Sequence, residues 1–104
     1  MRTVDLLFVN GKIVYNDLLI LEDTDLQYQI DSLKEDLFQV EYPASLLLDA
    51  GWYPSFSLTG SFQIRVIENY NWDMPLFFAT SKTIPFLIKE LSLAQNFIES
   101  HLKI

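Results

Sequence analysis

The chain contains no cysteine. Structural disulfides, thiolate metal sites and cysteine nucleophiles are excluded, and the composition suits a reducing compartment. Histidine occurs once, as His101. A lone imidazole is a poor basis for a catalytic pair or a metal centre. His101 instead falls near the end of a predicted helix, where a cation suits the helix dipole. Glycine (three) and proline (four) are sparse, and there is no linker, repeat or low-complexity tract. No apolar run approaches the roughly eighteen residues that a membrane span needs. Met1-Arg2-Thr3-Val4-Asp5 lacks the shape of a signal peptide, because Asp5 interrupts it and the apolar run 6–9 is short. G-x-S-x-G, phosphate-loop and H-E-x-x-H patterns are missing too. The expectation is a single soluble, cytoplasmic domain over residues 1–104 with no membrane partner.

Positive charge is also scarce. Seven Lys and Arg face fourteen Asp and Glu, a net charge of -7. That imbalance lies in one quarter of the chain. Asp17, Glu22, Asp23, Asp25, Asp31, Glu35, Asp36 and Glu41 are accompanied by Lys34 alone. Outside residues 17–41, cations and anions balance. Clustered Lys and Arg, which phosphate contacts require, are absent, so nucleic acid is not an expected partner. A concentrated negative field attracts a basic surface.

What is present is apolar: half the residues are hydrophobic and 14% aromatic. A domain of this size buries roughly two-thirds of its unfolded surface. Residues 4–9 read as a strand, Asn10-Gly11 as a hairpin turn, and residues 12–15, extending towards Leu21, as the returning strand. Thr24 reads as a helix cap with Gln27 completing a capping box. Leu26, Ile30, Leu33 and Leu37 then recur at helical spacing, which predicts a helix over about 25–38 with Tyr28, Asp31, Ser32 and Glu35 on its far side. Residues 44–50 read as a strand. Residues 61–68 alternate, with Phe62, Ile64 and Val66 on one face and Ser61, Gln63 and Arg65 on the other. Residues 69–73 form a turn and 76–80 another strand. A final helix over 83–102 is capped by Ser81, with Pro85 in its first turn. Its apolar arc has two stripes, one of Ile84, Ile88, Leu91, Ile98 and Leu102, the other of Phe86, Leu93 and Phe97. Deep burial or contact with a second chain explains so wide an arc. The order β-β-α-β-β-β-α predicts an α+β fold with an antiparallel or mixed sheet of about five strands and two helices.

Catalysis finds little support. Asp23-Thr24-Asp25 is similar to the start of a calcium loop, but Tyr28 stands where that loop needs glycine and Lys34 where it needs glutamate. Carboxylates abound in 17–41, yet no pair is set in an apolar pocket that would raise a pKa. A small acidic hydrolase is therefore disfavoured, and no enzyme activity, catalytic residue, metal or cofactor is expected. The candidate partner-binding residues are Asp17, Glu22, Asp23, Asp25, Asp31, Glu35, Asp36 and Glu41, with Tyr28 and Tyr42 as aromatic anchors. A solvated, solubilising face is the plain alternative. A phosphate mimic in a basic cleft is one form of the binding reading.

Residues 46–76 add a resemblance. Leu46-Leu47-Leu48-Asp49-Ala50-Gly51-Trp52-Tyr53-Pro54, then Gly60-Ser61-Phe62-Gln63-Ile64, then Trp72-Asp73-Met74-Pro75-Leu76, resembles a pattern in immunity proteins of bacterial contact-dependent growth inhibition and related polymorphic toxin systems. The match covers about a third of the chain, or half with the last helix. Its residues read as structural: Gly51 for an unusual backbone angle, Trp52 and Phe62 for the core, Pro75 at the approach to a strand. No toxin-contact residues transfer through it. The resemblance implies a cytoplasmic, non-catalytic protein that binds a cognate, basic, nuclease-like toxin domain and blocks its active site or substrate cleft. The alternative is an adaptor or self-associating domain, a weak homodimer through the 83–102 arc.

Overall fold

The computed structural model describes residues 6, 8–18, 21 and 25–103. Five strands form one antiparallel sheet: β1 (Lys12–Asn16), β2 (Phe38–Tyr42), β3 (Leu46–Tyr53), β4 (Ser61–Glu68) and β5 (Phe77–Ser81). Spatial order follows chain order, β1-β2-β3-β4-β5. A 3₁₀ segment, Leu26–Ser32, lies between β1 and β2, and the helix α1 (Ile84–Leu102) follows β5. The α+β class, five strands and two helical pieces agree with the sequence reading. Among the described residues no helix is long and apolar enough to cross a membrane.

Period-two alternation sets the sheet's two faces. Phe38 and Val40 of β2, Leu48, Ala50 and Trp52 of β3, and Phe62, Ile64 and Val66 of β4 meet Ile84, Leu87, Leu91, Ala94 and Ile98 of α1 in one core. Trp52 and Phe62, cross-strand partners, pack edge to face with centroids 4.8 Å apart. Such a geometry contributes roughly 1 kcal/mol beyond area burial. Leu47 and Ile67 are also buried and paired, on the opposite face and outside that core. The first stripe of α1 is inward as expected. The second divides: Phe97 packs on Phe77 at 5.9 Å, while Phe86 and Leu93 stay exposed. His101 stacks on Phe97, and its Nε2 lies 3.6 Å from Glu68 Oε2.

Three local expectations change. The strand over 4–9 falls partly on residues 1–5 and 7, outside those described. Its described members, Leu6, Phe8 and Val9, are not strand; the Val9 N–H donates to the Leu6 carbonyl at 3.0 Å and closes a turn. Asn10 does not serve a hairpin. Its side chain donates to Glu99 Oε1 at 2.9 Å and accepts from Gln95 Nε2 at 2.7 Å, anchoring the chain to α1. β1 therefore pairs with β2, and it stops at Asn16, whose Oδ1 accepts the Leu18 N–H.

Helix 25–38 is the second. Only Leu26–Ser32 is helical, and Gln29 breaks it at φ −128°. Thr24 lies outside the described residues; the cap is Asp25, which accepts from the Gln27 N–H. Backbone pairing explains the early stop. Lys34 O accepts from Trp52 N at 2.7 Å, Leu33 O from Phe56 N at 2.7 Å, and Leu37 N donates to Ala50 O at 3.2 Å. Residues 33–37 are held by β3 and the loop after it, and 38–42 complete a strand. Third, α1 is capped by Thr83 rather than Ser81: Thr83 Oγ1 accepts the Phe86 N–H at 3.3 Å.

Gly51 is the tightest point. It does not occupy a positive φ, as none of the described glycines does. Its role is close approach: a Cβ there would sit 1.7 Å from the carbonyl oxygen of Glu35. At that spot the backbone of 33–37 passes over Gly51 while it bonds to β3 on either side, through Ala50 and Trp52. Gly51→Ala must separate the two segments, and a loss of about 4 kcal/mol or more is expected in denaturant unfolding, the range of severe core disruption. A loss under about 1 kcal/mol would show that the crossing is not rigid.

Candidate functional site

The face of the sheet away from α1 carries one aligned row. Tyr15 opposes Gln39, Gln39 opposes Asp49, Asp49 opposes Arg65, and Arg65 opposes Phe78, so the row crosses all five strands. Neighbours in such a row have Cβ atoms about 5 Å apart. Two of its polar members are bonded to each other. Gln39 Nε2 donates to Asp49 Oδ1 at 3.1 Å. Arg65 donates to Gln63 Oε1 and lies between two rings, 5.4 Å from Tyr53 and 5.5 Å from Phe78. Phe78 is half-exposed at the sheet edge. The sequence showed that Arg65 and Gln63 point outward. It could not show the row, because register depends on which strands are neighbours.

Asp49 is only 3% exposed. Burial pushes its carboxyl above the usual range, while the hydrogen bond from Gln39 and the charge of Arg65 pull it back. Burial also raises the Tyr53 phenol, helped by Asp49.

The predicted acidic residues divide by location. Glu22 and Asp23 lie outside the described residues. Asp17 is internally neutralised: its Oδ2 accepts from Lys34 Nζ and from Tyr15 OH, each at 2.7 Å. Lys34 chiefly, then Tyr15, holds the Asp17 carboxyl below its ordinary value. Asp17 in turn raises Lys34 and Tyr15. Its contribution to stability is present above the ordinary carboxylate pKa and fades as pH falls through the lowered one. Asp25 is spent on capping the 3₁₀ segment. Asp31, Glu35 and Asp36 are exposed, as is Tyr28 at 79%. Asp36 acts electrostatically on Tyr15, Asp49 and Tyr53, and Glu35 on Tyr53. These two carboxylates therefore border the open face, on the loop pinned over Gly51. They do not form a helical face, because the helix ends before them.

Glu41 and Tyr42 belong elsewhere. They lie at the far end of β2, where Glu41 opposes Lys12. Tyr42 is no free anchor. Its hydroxyl donates to Gln95 Oε1, and its phenol is pushed up to about 12 by burial and by Glu99. With Asn10 it borders a groove of about 670 Å³ between β1, β2 and the end of α1. Sequence reasoning missed Gln95 as the buried centre of this network, since a single amide inside an apolar stripe carries no motif. Among the described residues, no three His, Asp or Glu side chains gather as a metal-holding group.

Comparison with protein-family models, curated proteins and solved structures finds no match to this chain.

The raised Asp49 carboxyl has a defined pH signature. Folding binds a proton there more readily than the unfolded chain does, so on this group's account stability falls as pH rises from the ordinary carboxylate pKa through the raised one. Asp49→Asn is expected to match the parent in denaturant unfolding below that window and to equal or exceed it at neutral pH. A variant that matches the parent in acid but is less stable than it at neutral pH would reverse the sign.

Proposed function

We propose that this chain is a cytoplasmic immunity protein that binds a basic, nuclease-type toxin domain and blocks its active site or substrate cleft. One observation carries the reading. The acidic segment keeps most of its charge unpaired. Among its described carboxylates only Asp17 has an ion-pair partner, while Asp31, Glu35, Asp36 and Glu41 are exposed. A nuclease must hold a polyanion, so its working face is basic. A negative rim accelerates encounter with that face, and buried aromatic contacts then govern dissociation. Tyr28, mostly exposed on the 3₁₀ segment, is available as such a contact. The resemblance of residues 46–76 to immunity proteins points the same way.

Calorimetric titration with the toxin domain encoded beside this chain, at two salt concentrations, tests the proposal. Nanomolar binding that weakens at higher salt is expected. Asp31→Lys with Glu35→Lys should weaken it about tenfold or more without lowering the melting temperature. Absence of binding at both salt concentrations overturns the reading. Binding unchanged by the two reversals moves the interface off this rim.

Exposure of Phe86 and Leu93, two turns apart on α1, favours a second reading, self-association. Phe86→Ser is then expected to convert an oligomer to a folded monomer in sedimentation analysis. A parent already monomeric at high concentration rejects it.

A further inference from the structure

A cleft of about 300 Å³ opens between Tyr15, Asp36 and Gln39 at the β1–β2 side of the open face. Its chemistry is one-sided. The Tyr15 hydroxyl hydrogen is already donated to Asp17, so the side chain offers its oxygen as an acceptor and its π face. The Gln39 amide nitrogen gives one N–H to Asp49 and keeps the other, and its carbonyl oxygen is open to a donor. Asp36 is exposed, and no hydrogen bond or ion pair engages it among the described residues. The cleft therefore presents a carboxylate, an amide oxygen and an aromatic face, with one Gln39 N–H as its remaining donor. Lys34, the nearby cation, is occupied by Asp17.

The same sheet face shows what fills such a setting. Arg65 lies against the Tyr53 ring at 5.4 Å and donates to a glutamine carbonyl, Gln63 Oε1. The cleft repeats that pair, a tyrosine ring and a glutamine oxygen, adds a carboxylate, and lacks the arginine. We infer that the Tyr15–Asp36–Gln39 cleft is a receptor for a guanidinium group, an arginine side chain of the protein partner. Guanidinium carries donors only, stacks on aromatic rings and pairs with carboxylates through two parallel bonds. Lysine, a hydrated point charge, satisfies the ring and the planar acceptors less well. The inference rests on the proposed binding of a basic protein for its biological meaning, but the cleft can be examined without that partner.

The probe is N-acetyl-L-arginine methylamide, followed by NMR at the Gln39 side-chain amide and the Tyr15 ring. Saturable shifts at both are expected, with the lysine analogue weaker. Asp36→Asn should weaken probe binding about tenfold, Tyr15→Phe should retain it, and Tyr15→Leu should abolish it. Asp73→Asn, in the turn after β4, should leave the probe shifts unchanged. Shifts that do not saturate, or that persist unchanged in Asp36→Asn, overturn the cleft. The toxin titration separates the two claims. If the probe binds and the toxin does not, the immunity reading fails and the receptor stands. If the toxin binds equally to parent and Asp36→Asn, and the probe does not bind, the receptor fails and the immunity reading stands.

Discussion

The crossing of residues 33–37 over Gly51 is the constraint from which the site follows. Two carbonyls, Leu33 O and Lys34 O, are taken by Phe56 and Trp52, and the Leu37 N–H is given to Ala50. A helix continuing through this stretch would need those same groups internally. Backbone pairing with the central strand wins, since burying unpaired backbone groups costs about 1–3 kcal/mol each. The consequences are ordered. The helical start is confined to seven residues. Phe38 becomes the first residue of a strand. Lys34 is brought to Asp17, and Glu35 and Asp36 are left facing outward at the border of the open face. Only glycine permits the backbone to come so near.

The parts of this fold that were legible in the sequence are those with local causes. Alternation in 61–68 reads directly as a half-covered strand. The capped, proline-started final helix reads within a residue or two, apart from its cap. Burial at 26–37 also reads correctly: Leu33 and Leu37 are inward and Tyr28, Asp31 and Glu35 outward, although the backbone is not a continuous helix. A short segment with apolar residues every three or four positions satisfies either a helix or a 3₁₀ turn followed by a tethered loop. The choice was made by Trp52, Ala50 and Phe56, far along the chain. Asn10-Gly11 failed for a similar reason, since Gln95 and Glu99 claimed the asparagine before a turn could.

The candidate site divides along the same line. Net charge and its concentration in 17–41 were visible at once. Which carboxylates remain free was not, because Asp17 is cancelled by Lys34 and Asp25 is absorbed by a cap. Gln39, Asp49 and Arg65 belong to three separate strands, and only register places them in one row. Gly51 was singled out correctly but for the wrong cause: nearness of a neighbouring backbone, not an unusual angle of its own.

β5 ends the sheet, and no strand covers its outer edge among the described residues. Its sequence, Phe77 to Ser81, contains no charge, and Phe78 stands half-exposed on it. Bare edges of this kind are usually guarded by lysine, proline or a bulge. Here the guard is distant: mutual repulsion between whole molecules, each carrying -7. That protection is colloidal and depends on solvent conditions. It vanishes as the pH approaches the isoelectric point near 4.4 and is attenuated by salt. Resistance to edge-to-edge association is thus supplied by carboxylates concentrated in residues 17–41, outside the strand they protect.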